Sequence, residues 1–203
     1  MVILRSLCKD QRAASGAEFA LVVPLLTLLL FAVIDAGRFM WEYNRAEKAT
    51  QAGARMAVVT DVVDGGLVST NYVAGTLTQG DRIPASVLGV VTCTNSGNCT
   101  CTAPCPTGVP GTRNATAFTA IVTRMQALYP AIQPANVVIE YRGSGLGFAG
   151  DPDTTKPQIS PLVTVRLTGM TFQPVGLLKL AAFQMPSFAT TLSAEDLSGT
   201  DSN

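Results

Sequence analysis

Sixteen consecutive residues without a charge, Phe19 to Ile34 (FALVVPLLTLLLFAVI), constrain this chain more than any other feature in it. Wound as an α-helix at about 1.5 Å per residue, they extend roughly 24 Å, slightly less than the ~30 Å hydrocarbon core of a bilayer. Ala36, Gly37 and the aliphatic stem of Arg38 supply the remainder. The expected membrane segment is 19–36. Arg5, Lys9 and Arg12 precede it with only Asp10 against them, so the positive-inside bias places the N-terminus in the cytoplasm. Everything after residue 37 then lies outside, in a single-pass arrangement with its bulk periplasmic.

A secretory signal peptide shares the basic start and the apolar run, but its cleavage site needs small residues, and Ile34-Asp35-Ala36 is a poor one. The following stretch, residues 37–60, contains no proline and keeps a helical pattern. Arg38 and Glu42, then Glu42 and Arg45, fall four and three apart with opposite charge. Trp41, Ala49, Ala52 and Met56 recur on another face. One helix from about residue 15 to 60 is expected. Its small residues (Ala46, Ala49, Ala52, Gly53, Ala54, Ala57) serve either as close-packing positions for neighbouring helices or simply as good helix formers. Pro24 marks a kink or flexible point within it. Glu18, at the mouth of the apolar run, either sits in the headgroup layer or pairs with a cation such as a free N-terminal amine.

Composition narrows the chemistry. Lysine plus arginine number 14, aspartate plus glutamate 14, and histidine 0. The balanced charge lacks the electrostatic footprint of a nucleic-acid binder. Without histidine, Ser-His-Asp and Cys-His catalysis and His-ligated metal sites are excluded. Charged residues make up 14% of the chain against about 25% in a typical soluble domain, consistent with part of it lying outside water.

The residues Arg12-Ala13-Ala14-Ser15-Gly16-Ala17-Glu18-Phe19-Ala20-Leu21-Val22-Val23-Pro24-Leu25-Leu26, then Asp35-Ala36-Gly37-Arg38 and the alanine-rich Ala46 to Ala57, resemble the TadE-like family. Its members are pilin-like proteins (pseudopilins) of the bacterial tight-adherence, or type IVc, pilus. The resemblance implies cleavage of a basic leader, residues 1–13, by a prepilin peptidase at the inner membrane. The family pattern puts a small residue before the cut and glutamate at the fifth mature position. With Glu18 in that place, the cut falls between Ala13 and Ala14, where alanine replaces the family's usual glycine; Gly16 has the wrong spacing. The new α-amine of Ala14 then becomes the cation for Glu18, on the same or a neighbouring subunit. Other pilin-like subunits, pilus-assembly proteins and membrane lipid are the partners implied, and no cofactor or metal is expected.

Residues 61–203 are expected to form a periplasmic α+β domain. Its cysteine-rich loop, 93–105, carries Cys93, Cys99, Cys101 and Cys105. An even count outside the inner membrane points to two disulfides. A ring closing Cys99 on Cys101 is too tight, which leaves Cys93–Cys99 with Cys101–Cys105, or Cys93–Cys101 with Cys99–Cys105. A zinc site would need paired C-x-x-C spacing, which is absent. A short helix near Thr70 to Thr78 and a weak strand near Ser86 to Thr92 are expected. Asn114 caps a helix to about Tyr129 with Phe118, Ile121, Val122, Met125 and Leu128 on one face. Strands are expected at Val137–Arg142, Leu162–Gly169 and Ser187–Ser193, and a short apolar helix or exposed subunit contact at Val175–Phe183. A long N-terminal helix, a second helix and a small antiparallel sheet make a pilin-like α+β arrangement.

Gly145-Leu146-Gly147-Phe148-Ala149-Gly150 spells a dinucleotide fingerprint, but Asp151-Pro152-Asp153 follows in place of the helix a pyrophosphate needs. Asp151 and Asp153 lack a third carboxylate at calcium spacing. Lys156, Lys179 and these aspartates form no nucleophile–base constellation. The sequence therefore favours a non-enzymatic minor pilin or assembly accessory, the alternative being a membrane-tethered periplasmic binding or adhesion module without a filament role.

Overall fold

The computed structural model describes residues 11–73, 77–153, 155–176, 182–194 and 197–199, with only the backbone of residues 11–14. The long helix α1 runs Gln11–Val59 without interruption. It ends where Thr60 turns its backbone N–H and its hydroxyl onto the carbonyl of Met56, at 3.1 and 2.7 Å. Two compact units divide the chain. One contains α1 up to Glu42 together with Thr171–Phe183; the other contains Tyr43–Met170 and Gln184–Asn203.

The larger unit is built on a five-stranded antiparallel sheet. Its strands are β1 (Val90–Cys93), β2 (Thr100–Thr102), β3 (Val137–Arg142), β4 (Leu162–Leu167) and β7 (Phe188–Ser193), in the order β2-β1-β3-β4-β7. Two short strands, β5 (Thr171–Phe172) and β6 (Phe183–Gln184), form a separate ribbon. Ile139 lies opposite Val165, Tyr141 opposite Val163, and Val165 opposite Thr190. With a side-chain period of two, this register puts Val137, Ile139, Tyr141, Val163, Val165 and Leu167 on one buried face. On the opposite face Glu140 pairs with Arg166 at 3.2 Å and Arg142 at 3.7 Å, and Thr164 shares a 2.8 Å hydrogen bond with Thr191.

The buried face is covered by helices. In α1, Ala46, Ala49, Thr50, Gly53 and Ala57 fall at helical spacing and are all buried. A Cβ added to Gly53 would come within 2.7 Å of Met125 Cγ and 3.3 Å of Val165 Cγ1, so only a small residue lets α1 lie this close. Thr190 donates to Thr50 at 3.3 Å, and Tyr43 meets Phe188 edge to face at 4.9 Å. These small residues therefore serve the chain's own core, a use the sequence reading did not anticipate. Trp41, placed by that reading on the same stripe, is exposed.

The expected α+β class holds: a long N-terminal helix, a second helix and an antiparallel sheet. The second helix, α3 (Ala115–Leu128), is capped by Asn114, whose side chain accepts from Ala117 N at 3.0 Å. Phe118, Ile121, Val122 and Met125 are buried, as is Tyr129 just past the helix, but Leu128 in its last turn is exposed. Several boundaries need correction. The short helix is α2, Gly65–Ser69, started by Asp64 as its N-cap, while the described residues of 70–78 are not helical. Residues 85–87 form a 3-10 turn and the strand begins only at Val90. The cysteine-rich stretch is a β-hairpin, β1 with β2, where a loop was expected. Of the apolar segment 175–183, Val175 and Gly176 are not helical, Phe183 opens β6, and 177–181 lie outside the described residues.

Candidate membrane and assembly site

Every described side chain from Ser15 to Ile34 is exposed. An 18-residue window here reaches a mean hydropathy of 2.5 with none of it buried, making α1 long and apolar enough to cross a membrane. Exposed apolar side chains over this length find a stable setting only in lipid or against other apolar helices. Pro24 lies inside the continuous helix, where its missing N–H removes the hydrogen bond that the Ala20 carbonyl would otherwise accept. Thr27, the polar side chain in the middle, donates its hydroxyl to the Val23 carbonyl at 2.7 Å, so it carries no unsatisfied donor into the run.

The expected site residues fall as follows. Ala13 and Ala14 are within the helical backbone of α1, and their side chains lie outside the described residues. Glu18 is exposed on α1, one residue before the apolar run. Cys93 and Cys99 form one disulfide and Cys101 and Cys105 the other, which selects between the two pairings that spacing had left open. The first closes the β1–β2 hairpin with both cysteines buried; the second ties β2 to the chain beyond it.

Reading the sequence missed one polar site entirely. Asp35, the first charge after the apolar run, is 9% exposed and takes two backbone amides from residues 140 and 141 positions away. Val175 N donates to its Oδ1 at 2.9 Å and Gly176 N to its Oδ2 at 3.1 Å. Arg38 lies 3.7 Å from the same carboxylate and 3.5 Å from Glu42. Phe172 packs edge to face on Phe39 at 5.4 Å and under the Arg38 guanidinium at 5.5 Å. Gly176 approaches α1 so closely that a Cβ there would lie 2.9 Å from Phe31 Cβ. The only sequence signal was an aspartate ending an apolar helix, which by itself names no partner.

A second polar cluster is internal. Asp64 Oδ1 accepts from Gly66 N at 3.1 Å and Gly111 N at 2.7 Å, while Oδ2 is buried without a partner among the described residues. Burial pushes this carboxyl above the ordinary aspartate value, outweighing the two amides that lower it. Burial, helped by the nearby Asp64 charge, pushes the Tyr72 phenol up to about 12. Tyr141 is fully buried and its oxygen accepts from Val63 N at 3.0 Å. Burial raises its phenol as well.

Elsewhere, the G-x-G-x-x-G stretch lies in the β3–β4 connection, with Gly147 bridged to Ile159. Asp151 and Asp153 turn back on their own loop, accepting from Asp153 N and Thr155 N at 2.9 Å each. Among the described residues no group of three or more cysteine, aspartate or glutamate side chains could hold a metal ion.

Residues 14–55 match the family model described as TadE-like protein. That span coincides with the segment whose residues carried the resemblance, and bears it out there. No curated protein and no solved structure matches the chain.

Proposed function

We propose that this chain, whose residues 14–55 match the TadE-like model, is a pilin-like, non-enzymatic component of a bacterial tight-adherence pilus, processed by a prepilin peptidase. The observation that carries the reading is the coincidence of that match with an exposed apolar helix bearing Glu18 at its mouth. α1 anchors the protein in the inner membrane as a single span, with the N-terminus cytoplasmic and the sheet domain periplasmic. After removal of residues 1–13, the α-amine of Ala14 pairs with Glu18, offsetting the desolvation of both charges and setting the register of neighbouring helices. The burial of Ala46, Ala49, Ala54 and Ala57 within the chain's own domain leaves Ser15–Ile34 as the surface through which one helix packs on the next.

The test is the N-terminal sequence of the membrane-bound protein, by mass spectrometry, with and without the peptidase. A chain beginning at Ala14 only when the peptidase is present is the expected result, and Glu18→Ala should then abolish assembly while leaving cleavage and membrane insertion intact. An N-terminus at Met1 or Val2 in both strains overturns the proposal in favour of a tethered periplasmic module. A start near Gly37 would mean that the apolar run is a signal peptide.

A further inference from the structure

We propose that Phe172–Gly176 is a lipid-contacting foot, held by Asp35 so that Val175 enters the headgroup layer of the bilayer that α1 crosses. The inference rests on the reading of α1 as membrane-spanning and adds a second, non-helical contact with the same bilayer.

The geometry fixes where this segment lies along the helix. Phe172 packs at the level of Arg38 and Phe39, whereas Gly176 packs against Asp35 and Phe31. Between Phe39 and Phe31, α1 advances about 12 Å. Four residues of extended chain cover about 13–14 Å. The segment therefore runs down the helix, from about one and a half turns outside the last apolar residues to a position beside them, bending at Val175 and Gly176. Phe31 belongs to the uncharged run and Asp35 ends it, so Gly176 lies beside the outer end of that run.

The backbone of the foot is also prepared for a poorly hydrated setting. Pro174 has no N–H, and the N–H groups of Val175 and Gly176 are both given to Asp35. Three successive residues thus present no unsatisfied donor, the condition for irregular backbone at a lipid boundary. The Asp35 charge is in turn covered by two amides and by Arg38, so the foot brings no bare anion toward hydrocarbon. Val175 nevertheless remains 55% exposed. Just above it on α1, Met40 and Trp41 are 59% and 60% exposed, and Trp41 occupies the level at which interfacial tryptophans are enriched. The contact is continuous with the exposed apolar run below, which is why lipid is its occupant.

The experiment uses the full chain with Cys8→Ser, reconstituted in phosphatidylcholine vesicles, its disulfides left closed. Single cysteines at Val175→Cys, Leu29→Cys and Thr94→Cys carry an environment-sensitive fluorophore, and nitroxide lipids with the spin near the headgroup or near the acyl terminus act as quenchers. The Val175 label should be quenched about twofold more by the shallow than by the deep nitroxide, as for an interfacial group. The Leu29 label should be quenched most by the deep one, and the Thr94 label by neither. Adding Asp35→Ala should drop the Val175 label to the Thr94 level without altering Leu29. A Val175 label that behaves like Thr94 while Leu29 is quenched overturns the foot and leaves the spanning helix standing. An unquenched Leu29 label overturns both. Blue-shifted emission at Val175 without lipid quenching overturns it in favour of a protein neighbour, and quenching that survives Asp35→Ala overturns the holding role of Asp35.

Discussion

Substitution of Asp64 separates two opposing effects at one buried carboxylate. Asp64→Asn keeps an Oδ1 acceptor for Gly66 N and Gly111 N but removes the ionisable group; Asp64→Ala removes the acceptor as well. The Asn–Ala difference therefore reads the two hydrogen bonds, less the cost of burying the new NH2 group at the unpartnered Oδ2 position. A buried N–H left without its partner costs about 1–3 kcal/mol, and since Gly66 is buried and Gly111 half-buried the pair amounts to about 2–4 kcal/mol. At about 2–4 °C per kcal/mol for a domain of this size, the Ala variant should melt about 4–16 °C below the Asn variant. The pH dependence of the wild-type–Asn difference reads the charge. Because burial raises the folded carboxyl above its ordinary 3.8, the folded state keeps a proton that the unfolded chain has already released. Wild-type stability must fall, relative to Asp64→Asn, as pH rises from 3.8 through that raised value, and stay lower above it. The buried tyrosines Tyr72, Tyr129 and Tyr141 provide a near-ultraviolet circular dichroism signal for the domain, followed on heating at pH 4 and pH 7. Equal melting of the Asn and Ala variants would refute the hydrogen-bond argument. A wild-type advantage over Asn that grows with pH would refute the burial argument.

Two further outcomes follow from the same domain. Tyr141→Phe preserves shape but leaves the buried Val63 N–H without its acceptor, and should cost about 1–3 kcal/mol in the same melt; a loss below a few tenths would show that Val63 finds another partner. Peptide mapping without reduction should recover Cys93 linked to Cys99 and Cys101 to Cys105, and replacing Cys93 and Cys99 by alanine should cost about 2 kcal/mol from the loss of a small closed loop; a Cys93–Cys101 peptide would contradict the hairpin register.

What could be read from the sequence, and what could not, divides along physical lines. β3, β4, β7 and α3 were legible to within two residues because each carries its own periodicity, a clear alternation or an apolar helical stripe behind an asparagine cap. The β1–β2 hairpin was not, because its second strand reads Thr100-Cys101-Thr102 and only pairing with Val90–Thr92 makes it a strand. The small residues of α1 announced a close contact but not its occupant: an alanine and glycine stripe fits a neighbouring helix as well as the chain's own sheet. For the candidate site, the exposed run and Glu18 were visible in the sequence. Asp35 was not, since its partners are backbone amides on a proline- and glycine-containing loop 140 residues later, and amides leave no mark on a sequence.

The contact between Thr50 and Thr190 also sets an order in time. α1 is made long before β7, which covers it; beyond β7, Gly199 and Asp61 exchange hydrogen bonds of 2.8 and 2.9 Å. The core of the sheet unit cannot close until β7 has been made, because one wall of that core comes from α1 and another from β7. Throughout that interval the alanine stripe of α1 stands uncovered. A chain cut anywhere before β7 therefore carries α1 but lacks one wall of the core that α1 packs in, and such a truncated chain leaves apolar surface exposed.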